Sequence, residues 1–170
     1  RPLLQSLKGL PANHMIKWIS RTSSFEGLAC EWSLALAFES ALKLKIPVRA
    51  QSIRALLAEL QRILWGFHFL ATLFRALGDE PRVQQALRLR EFLFQSLEIF
   101  TGSRILPQVI VVGGVERDLS VGDIRKFREV LKNIEFEMRL FFRDLSDEAL
   151  FIRRLKGVLV LPAERLSSLG

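Results

Sequence analysis

The side chains of this sequence that could carry chemistry are carboxylates and arginines within apolar helical faces. Glu31 lies in the apolar stripe of a predicted helix, where a carboxylate either pairs with a cation or has its pKa raised by burial. One interpretation is a proton-handling or redox-coupled group. The other is a structural ion pair with an arginine such as Arg21, Arg49 or Arg54. Both kinds of site perturb a pKa, so the residues alone leave the two interpretations open.

Metal ligands and nucleophiles are scarce in this sequence. Cys30 is the one cysteine, which excludes a disulfide within the chain and fits a reducing compartment. His14 has no partner that would give it a catalytic role. His68 is expected to pack in the core, because a metal needs several ligands. The Gly113-Gly114 pair belongs to neither a G-x-G-x-x-G nor a Walker motif, so it is not a phosphate loop.

A long apolar periodicity between Ile46 and Gly78 predicts the helix around which the other elements are organised. Apolar residues recur every three or four positions, at Ile53, Leu56, Leu57, Leu60, Ile63, Leu64, Phe67, Leu70, Ala71 and Phe74. Pro47 suits the first turn and Gly78 the end, which predicts a helix over about 47–77. Its second half is apolar on the other faces too, at Trp65, Phe69 and Leu73. A helix that is apolar all round is expected to be buried.

Shorter patterns predict the other elements. A turn of helix is expected within Pro11–Ser20. Helices are expected from Ser23 to about Lys45, from Asp79 to Gly102, from Ser120 to about Asp144, from Ser146 to about Lys156, and from Pro162 onward. The predicted fold is mainly α: a single domain over 1–170, built as a helical bundle around the long helix, with short extended segments near 105–115 and 158–161. Because the sequence opens on arginine and its last predicted helix has only just begun, we expect an excerpt of a longer protein.

Composition and charge limit the classes of function. Apolar residues make up 49% of the chain, which predicts either a very apolar core or apolar surface that contacts partner subunits or a second copy. No apolar run reaches the ~18 residues of a membrane span, and the N-terminus lacks the apolar region of a signal peptide. The net charge of +7 is spread along the helices rather than clustered, which argues against nucleic acid and for acidic partner subunits.

Several motifs follow one another along nearly the whole chain. They are Arg21; Cys30-Glu31 with Leu36, Ala37 and Glu39; Pro47, Arg49, Ala50, Gln51, Ile53, Arg54, Glu59 and Arg62; Arg90-Glu91; Gly102-Ser103-Arg104; Gly113-Gly114-Val115 with Asp118-Leu119; and Phe151-Ile152-Arg153-Arg154 with Lys156-Gly157-Val158. In this order they resemble the family of nickel–iron hydrogenase large subunits and its relative in respiratory complex I (NADH–quinone oxidoreductase), the D subunit.

Departures from the family pattern concern its cofactors. The hydrogenase nickel site uses two C-x-x-C pairs, but this chain has only Cys30, and position 27 is glycine. The Asp-Ile-Gly motif of complex I relatives reads Ala76-Leu77-Gly78 here, and the H-R-G-x-E-K start reads Leu7-Lys8-Gly9-Leu10. The resemblance therefore implies a shared scaffold. The chain alone is expected to bind no metal or cofactor and not to be catalytic, and the quinone and an iron–sulfur cluster are expected in the assembled complex and a partner subunit.

Two functions follow from this resemblance. In the first, the chain is a component like the D subunit in an electron-transfer complex, placed beside an iron–sulfur subunit, cytoplasmic or in an organelle matrix, and bound peripherally to a membrane through its partners. In the second, it is a degenerate, non-catalytic interaction or assembly protein with the same fold. The residues that the resemblance places near a quinone or cluster are Arg21, Glu31, Arg54, Arg62, Arg90 and Arg104.

Overall fold

The computed structural model describes residues 5, 7–23, 26–104, 108–146, 149–158, 160, 162–163 and 165. Its elements, in chain order, are α1 (Ala12–Ile19), a 3₁₀ turn (Ser20–Thr22), α2 (Gly27–Leu42), α3 (Val48–Ala76), α4 (Glu80–Thr101), β1 (Ile110–Val111), β2 (Gly114–Val115), α5 (Val121–Ser146) and α6 (Ala149–Leu155). The predicted mainly α class is confirmed. The chain forms two compact units, Arg1–Ile134 and Glu135–Gly170, so the single domain over 1–170 stays a prediction.

The long helix predicted over about 47–77 is α3, and it packs along its length against α4. The apolar stripe predicted for this helix is the face that is buried, at Ile53, Leu57, Leu60, Leu64, Phe67, Ala71 and Phe74. The facing stripe of α4 consists of Val83, Ala86, Leu89, Leu93, Leu97 and Phe100. Burial of these side chains stabilises the helix pair. Each of the larger ones contributes about 1.5–3 kcal/mol when it is removed from water.

The second half of α3 is not buried all round, which differs from the expectation for a helix that is apolar on every face. Phe69 is 58% exposed, while Trp65 and Leu73 are half-buried. The reason is that α4 covers the stripe face of α3 and leaves the face that carries Phe69 open. Some of the apolar residues of this helix therefore lie on the surface, away from the stripe that faces α4.

Local signals place both ends of α4 and the start of α5 at the predicted positions, whereas the helix predicted from Ser23 begins at Gly27. The Asp79 carboxylate accepts a hydrogen bond from the backbone N–H of Arg82 at 3.2 Å and caps α4, and Gly102 ends that helix with a φ of +70°. Ser120 and Asp123 cap α5 reciprocally: the Asp123 N–H donates to the Ser120 hydroxyl at 3.1 Å, and the Ser120 N–H donates to the Asp123 carboxylate at 3.0 Å.

The extended segment predicted near 105–115 forms a two-stranded antiparallel hairpin. Ile110 pairs with Val115, and Val111 pairs with Gly114. Gly113, at the turn, has a φ of +95°, which favours glycine. Residues 105–107 of the predicted segment lie outside the described residues.

The C-terminal unit is described in parts. The rings of Phe141 and Phe142 meet edge to face with their centroids 5.4 Å apart, and the short helix predicted after Ser146 is α6. Of the extended segment predicted at 158–161, residues 159 and 161 lie outside the described residues, and Val158 lies in a turn. Most of the helix predicted from Pro162 also lies outside them. Among the helices that are described, none is long and apolar enough to cross a bilayer.

Candidate functional site

Two buried carboxylates face the hairpin from one side of α2. Glu31 and Glu39 stand eight positions apart with Ala35 between them, so the helical period places all three on the same face. Glu31 is 0% exposed and Glu39 is 4% exposed. They are the only charged residues within Gly27–Leu42. Buried carboxylates need hydrogen-bond partners, and the two residues meet this requirement in different ways.

Glu39 forms a buried bidentate ion pair with Arg54 of α3. The Arg54 Nη2 lies 2.6 Å from the Glu39 Oε1, and the Arg54 Nη1 lies 3.0 Å from the Glu39 Oε2. Arg54 is 1% exposed. The Arg54 hydrogen bonds hold the pKa of Glu39 below its usual value, against the opposing effect of burial. The pair is therefore charged and links α2 to α3.

The same guanidinium also fixes the hairpin. Arg54 donates from Nη2 to the carbonyl of Val111 at 2.8 Å, and from Nε and Nη2 to the carbonyl of Gly114 at 3.0 and 2.8 Å. The Gly113 N–H in turn donates to the Glu39 Oε1 at 2.9 Å. One arginine thus joins α2, α3 and both strands of the hairpin.

The carboxylate of Glu31 has fewer and longer hydrogen bonds than that of Glu39. The Ile110 N–H approaches the Glu31 Oε2 at 3.5 Å, and the buried Oε1 has no hydrogen-bond partner among the described residues. Burial raises the pKa of Glu31 from 4.5 to about 7, against smaller lowering effects of the Ile110 N–H, the Ser20 hydroxyl, the charge of Lys17 and the Val109 N–H. Glu31 is therefore a buried group that can hold or release a proton near neutral pH.

The arginine partners predicted for Glu31 lie elsewhere. Arg54 pairs with Glu39, and the Nε of exposed Arg49 contacts the Asp118 carboxylate at 2.7 Å. The guanidinium of Arg21 lies 5.8 Å from the centroid of the Trp18 ring. No arginine among the described residues pairs with Glu31, so the ion-pair interpretation of this residue is wrong. The reason is geometric, since Glu39 is the carboxylate of α2 that lies opposite Arg54.

The other candidate residues lie in separate pairs. Arg62 contacts Glu59 at 2.5 Å on the exposed surface of α3, and Arg104 contacts Glu91. These two pairs are too exposed to contribute much stability. Of the six candidates, the structure brings Glu31 and Arg54 together at the hairpin. Assignment of any of the six to a quinone or cluster stays a prediction.

His68 and Arg90 join α3 to α4 through a hydrogen bond. The Arg90 Nη1 donates to the His68 Nδ1 at 2.8 Å. Burial lowers the pKa of His68, and the charges of Arg90 and Arg75 lower it further. Neutral His68 therefore accepts through Nδ1, as expected for a packed, hydrogen-bonded histidine. Within the described part of the chain, no cluster of His, Cys, Asp and Glu is arranged to hold a metal.

Glu39 is the functional-site residue that sequence reasoning missed. Its motif contributes to the family resemblance, but the candidate residues drawn from that resemblance do not include it. Its spacing of eight from Glu31 places it on the same helical face, so a second charged residue on an otherwise apolar face was the available signal. Its partner cannot be deduced from spacing, because Arg54 and the hairpin carbonyls are distant in sequence.

Comparison with known proteins identifies the family. The model of the respiratory-chain NADH dehydrogenase 49 kDa subunit matches residues 77–170, more than half of the chain. D subunit 2 of NADH-quinone oxidoreductase from Rhizobium etli (strain CIAT 652) is 36% identical over 138 residues, which are 81% of this chain and 34% of that protein. The D subunit of the same enzyme from Thermus thermophilus is 33% identical over 158 residues, which are 91% of this chain and 38% of that protein.

A solved structure supports the same assignment. One chain of the membrane-bound sulfane sulfur reductase, an archaeal respiratory membrane complex, superimposes with a TM-score of 0.83 and 25% identity over 90% of this chain and 41% of that one. The chain spans about a third of the length of the curated relatives it matches. On the family match and these likenesses, the chain belongs to the family of the 49 kDa subunit, also called the D subunit, of respiratory-chain NADH dehydrogenase.

Proposed function

We propose that this chain is a scaffold component of a complex I-type electron-transfer complex, packed beside an iron–sulfur subunit and forming part of the wall of its quinone end. The buried contact of Arg54 with Glu39, Val111 and Gly114 carries this proposal. These hydrogen bonds fix two helices and the hairpin to one another, which is a structural role. The quinone and the cluster belong to the assembled complex in this proposal.

The outward face of α2 supports contact with a partner. Both glutamates of α2 are buried, so the solvent-exposed part of this helix carries no charged side chain. Exposed apolar side chains continue from α2 into the start of α3, at Leu36, Leu42, Leu44 and Val48, and the exposed basic residues Lys43, Lys45 and Arg49 lie among them. Exposed apolar side chains beside basic ones suit an interface with an acidic partner subunit. Such contacts would hold the chain at a membrane-bound complex on the cytoplasmic or matrix side.

Copurification tests this function. The tagged full chain would be expressed in a host with a complex I-type enzyme, and the purified material examined for partner subunits and iron–sulfur absorbance. We expect the wild-type chain to copurify in a coloured complex. The Arg54→Gln variant should lose this complex, because the hairpin is no longer held against α2 and α3. Arg62→Gln is the matched control and should retain the complex, since its ion pair is exposed. A colourless wild-type oligomer would overturn the proposal and favour a non-catalytic assembly protein.

A further inference from the structure

A pocket at the end of α1 has a lining suited to a negatively charged ligand. It measures about 230 Å³ and is lined by His14, Lys17, Trp18, Arg21 and Gln108. The first four occupy positions i, i+3, i+4 and i+7, so α1 and the turn that follows it present one continuous face to the pocket. No carboxylate is among these lining residues, whereas Lys17, Arg21, His14 and Gln108 all carry N–H donors.

The cations of this pocket are available to a ligand. Lys17 contacts Glu116 at 3.3 Å, with both side chains well exposed, and such pairs exchange with solvent at little cost. Arg21 lies over the Trp18 ring and forms no ion pair with a described carboxylate. A planar guanidinium placed against an aromatic ring keeps its N–H edge free for two oxygens of a carboxylate or phosphate.

Gln108, the one lining residue that lies outside α1 and the 3₁₀ turn, is held against α1. Gln108 has a φ of +42°, which is unusual for a residue other than glycine, and its Nε2 donates to the carbonyl of Lys17 at 3.4 Å. The Val112 N–H donates to the Asn13 Oδ1 at 3.1 Å, so the hairpin turn is also hydrogen-bonded to α1. Strained residues held by their surroundings occur at ligand sites more often than elsewhere.

We propose that this pocket is a binding site for a small oxyanion, a carboxylate or phosphate, held by Lys17 and Arg21 beside the Trp18 ring. The site goes beyond the proposed scaffold function and does not depend on assembly, because all of its residues belong to this chain. Its ligand would be recognised by charge and by two-oxygen geometry, with an aromatic or planar body favoured by the ring.

Titration of the purified full chain with inorganic phosphate and with benzoate tests the site. Calorimetry and tryptophan fluorescence would be measured at constant ionic strength, with benzyl alcohol as the uncharged probe. We expect saturable binding of at least one anion, weakened about tenfold or more by Lys17→Gln and by Arg21→Gln, each removing about 1.4 kcal/mol. Tighter benzoate would assign a carboxylate ligand, and tighter phosphate a phosphate ligand.

A matched control separates this site from general attraction to a basic protein. Arg88 lies 5.8 Å from the centroid of the Phe92 ring, in the same arrangement as Arg21 and Trp18 but away from the pocket lining. Arg88→Gln should leave anion binding unchanged, and circular dichroism would confirm that all variants are folded. Equal weakening by Arg88→Gln and Arg21→Gln, binding of benzyl alcohol as strong as benzoate, or no saturable binding would overturn the proposal.

Discussion

Glu39 and Arg54 form a bidentate ion pair in the core of the N-terminal unit, with oxygen–nitrogen distances of 2.6 and 3.0 Å. The pair is flanked by the carbonyls of Val111 and Gly114, which accept from the same guanidinium. Burial of two charges is costly unless their remaining donors and acceptors are satisfied. Here the hairpin supplies the missing acceptors, so the pair and the hairpin depend on each other.

Removal of the arginine should therefore be strongly destabilising. Arg54→Gln leaves the Glu39 carboxylate buried without its cation, and we expect the free energy of unfolding to fall by about 3–5 kcal/mol. Urea unfolding followed by circular dichroism measures this loss. The exposed Arg62→Gln change should alter stability by no more than about 0.5 kcal/mol. A loss below about 1 kcal/mol in Arg54→Gln would contradict the buried, hairpin-anchoring role.

The double variant Glu39→Leu/Arg54→Met separates pairing from packing. It should be more stable than Arg54→Met alone, because no unpaired charge remains in the core. Full recovery is not expected, since the carbonyls of Val111 and Gly114 lose their donor. The double-mutant cycle should give a coupling energy of about 1–3 kcal/mol between the two side chains. If the losses in the free energy of unfolding of the two single variants simply add, Glu39 and Arg54 do not stabilise each other.

Glu31→Gln should have the opposite effect to Arg54→Gln. Burial raises the pKa of Glu31 from 4.5 to about 7, so the folded state binds a proton more tightly than the unfolded chain. The resulting stability is fully present below about pH 4.5 and is lost as the pH rises through about 7. Since one pKa unit corresponds to about 1.4 kcal/mol, the glutamine variant should gain up to about 3 kcal/mol over wild type at about pH 8.

This gain should disappear in acid, where protonated Glu31 and glutamine are both neutral. Urea unfolding of the two proteins at about pH 5 and about pH 8 gives the difference directly. Glu98→Gln, an exposed change on α4, is the control and should shift stability little at either pH. Lower stability of Glu31→Gln at about pH 8 would instead indicate a charged, well-supported Glu31.

His68 should make the protein less stable in acid. Its pKa is lowered from the ordinary value of 6.5, chiefly by burial, and its Nδ1 accepts from Arg90. As the pH falls below 6.5, the unfolded chain takes up a proton before the folded state does, so stability is lost. His68→Gln should reduce this loss, because its amide oxygen can still accept from Arg90 and does not titrate. If the stability of both proteins depends on pH in the same way, the pKa of His68 is not lowered in the folded state.

Two glycines allow a matched test of the hairpin turn. Gly113 has a φ of +95° with open space at the Cβ position, and Gly66 lies within α3, also with open space. Gly113→Ala should cost about 1–2 kcal/mol from backbone strain alone. Gly66→Ala should stabilise the helix by about 0.5–1 kcal/mol, because alanine loses less backbone freedom on folding. Thermal unfolding of both variants measures these opposite shifts, and equal shifts would contradict the turn conformation.

Helix positions in this chain could be predicted because their signals are local. Pro47 and Gly78 bracket α3, and Asp79 and Ser120 cap the helices that follow them. Such signals act over one turn of chain, so they can be recognised without knowledge of the fold. The apolar stripe of α3 likewise predicted its buried face. Phe69, an apolar residue outside the stripe, is exposed.

The sequence alone determined the helical class, the long helix α3, the resemblance to the family of the complex I D subunit and the burial of Glu31. Only the tertiary structure decided that Arg54 pairs with Glu39, that the buried Glu31 Oε1 has no hydrogen-bond partner among the described residues, and that Lys17, Arg21 and Gln108 line one pocket. The physical reason is distance along the chain. Arg54 and Gly114 are separated by 60 positions, and such contacts depend on how whole helices pack, which periodicity does not encode.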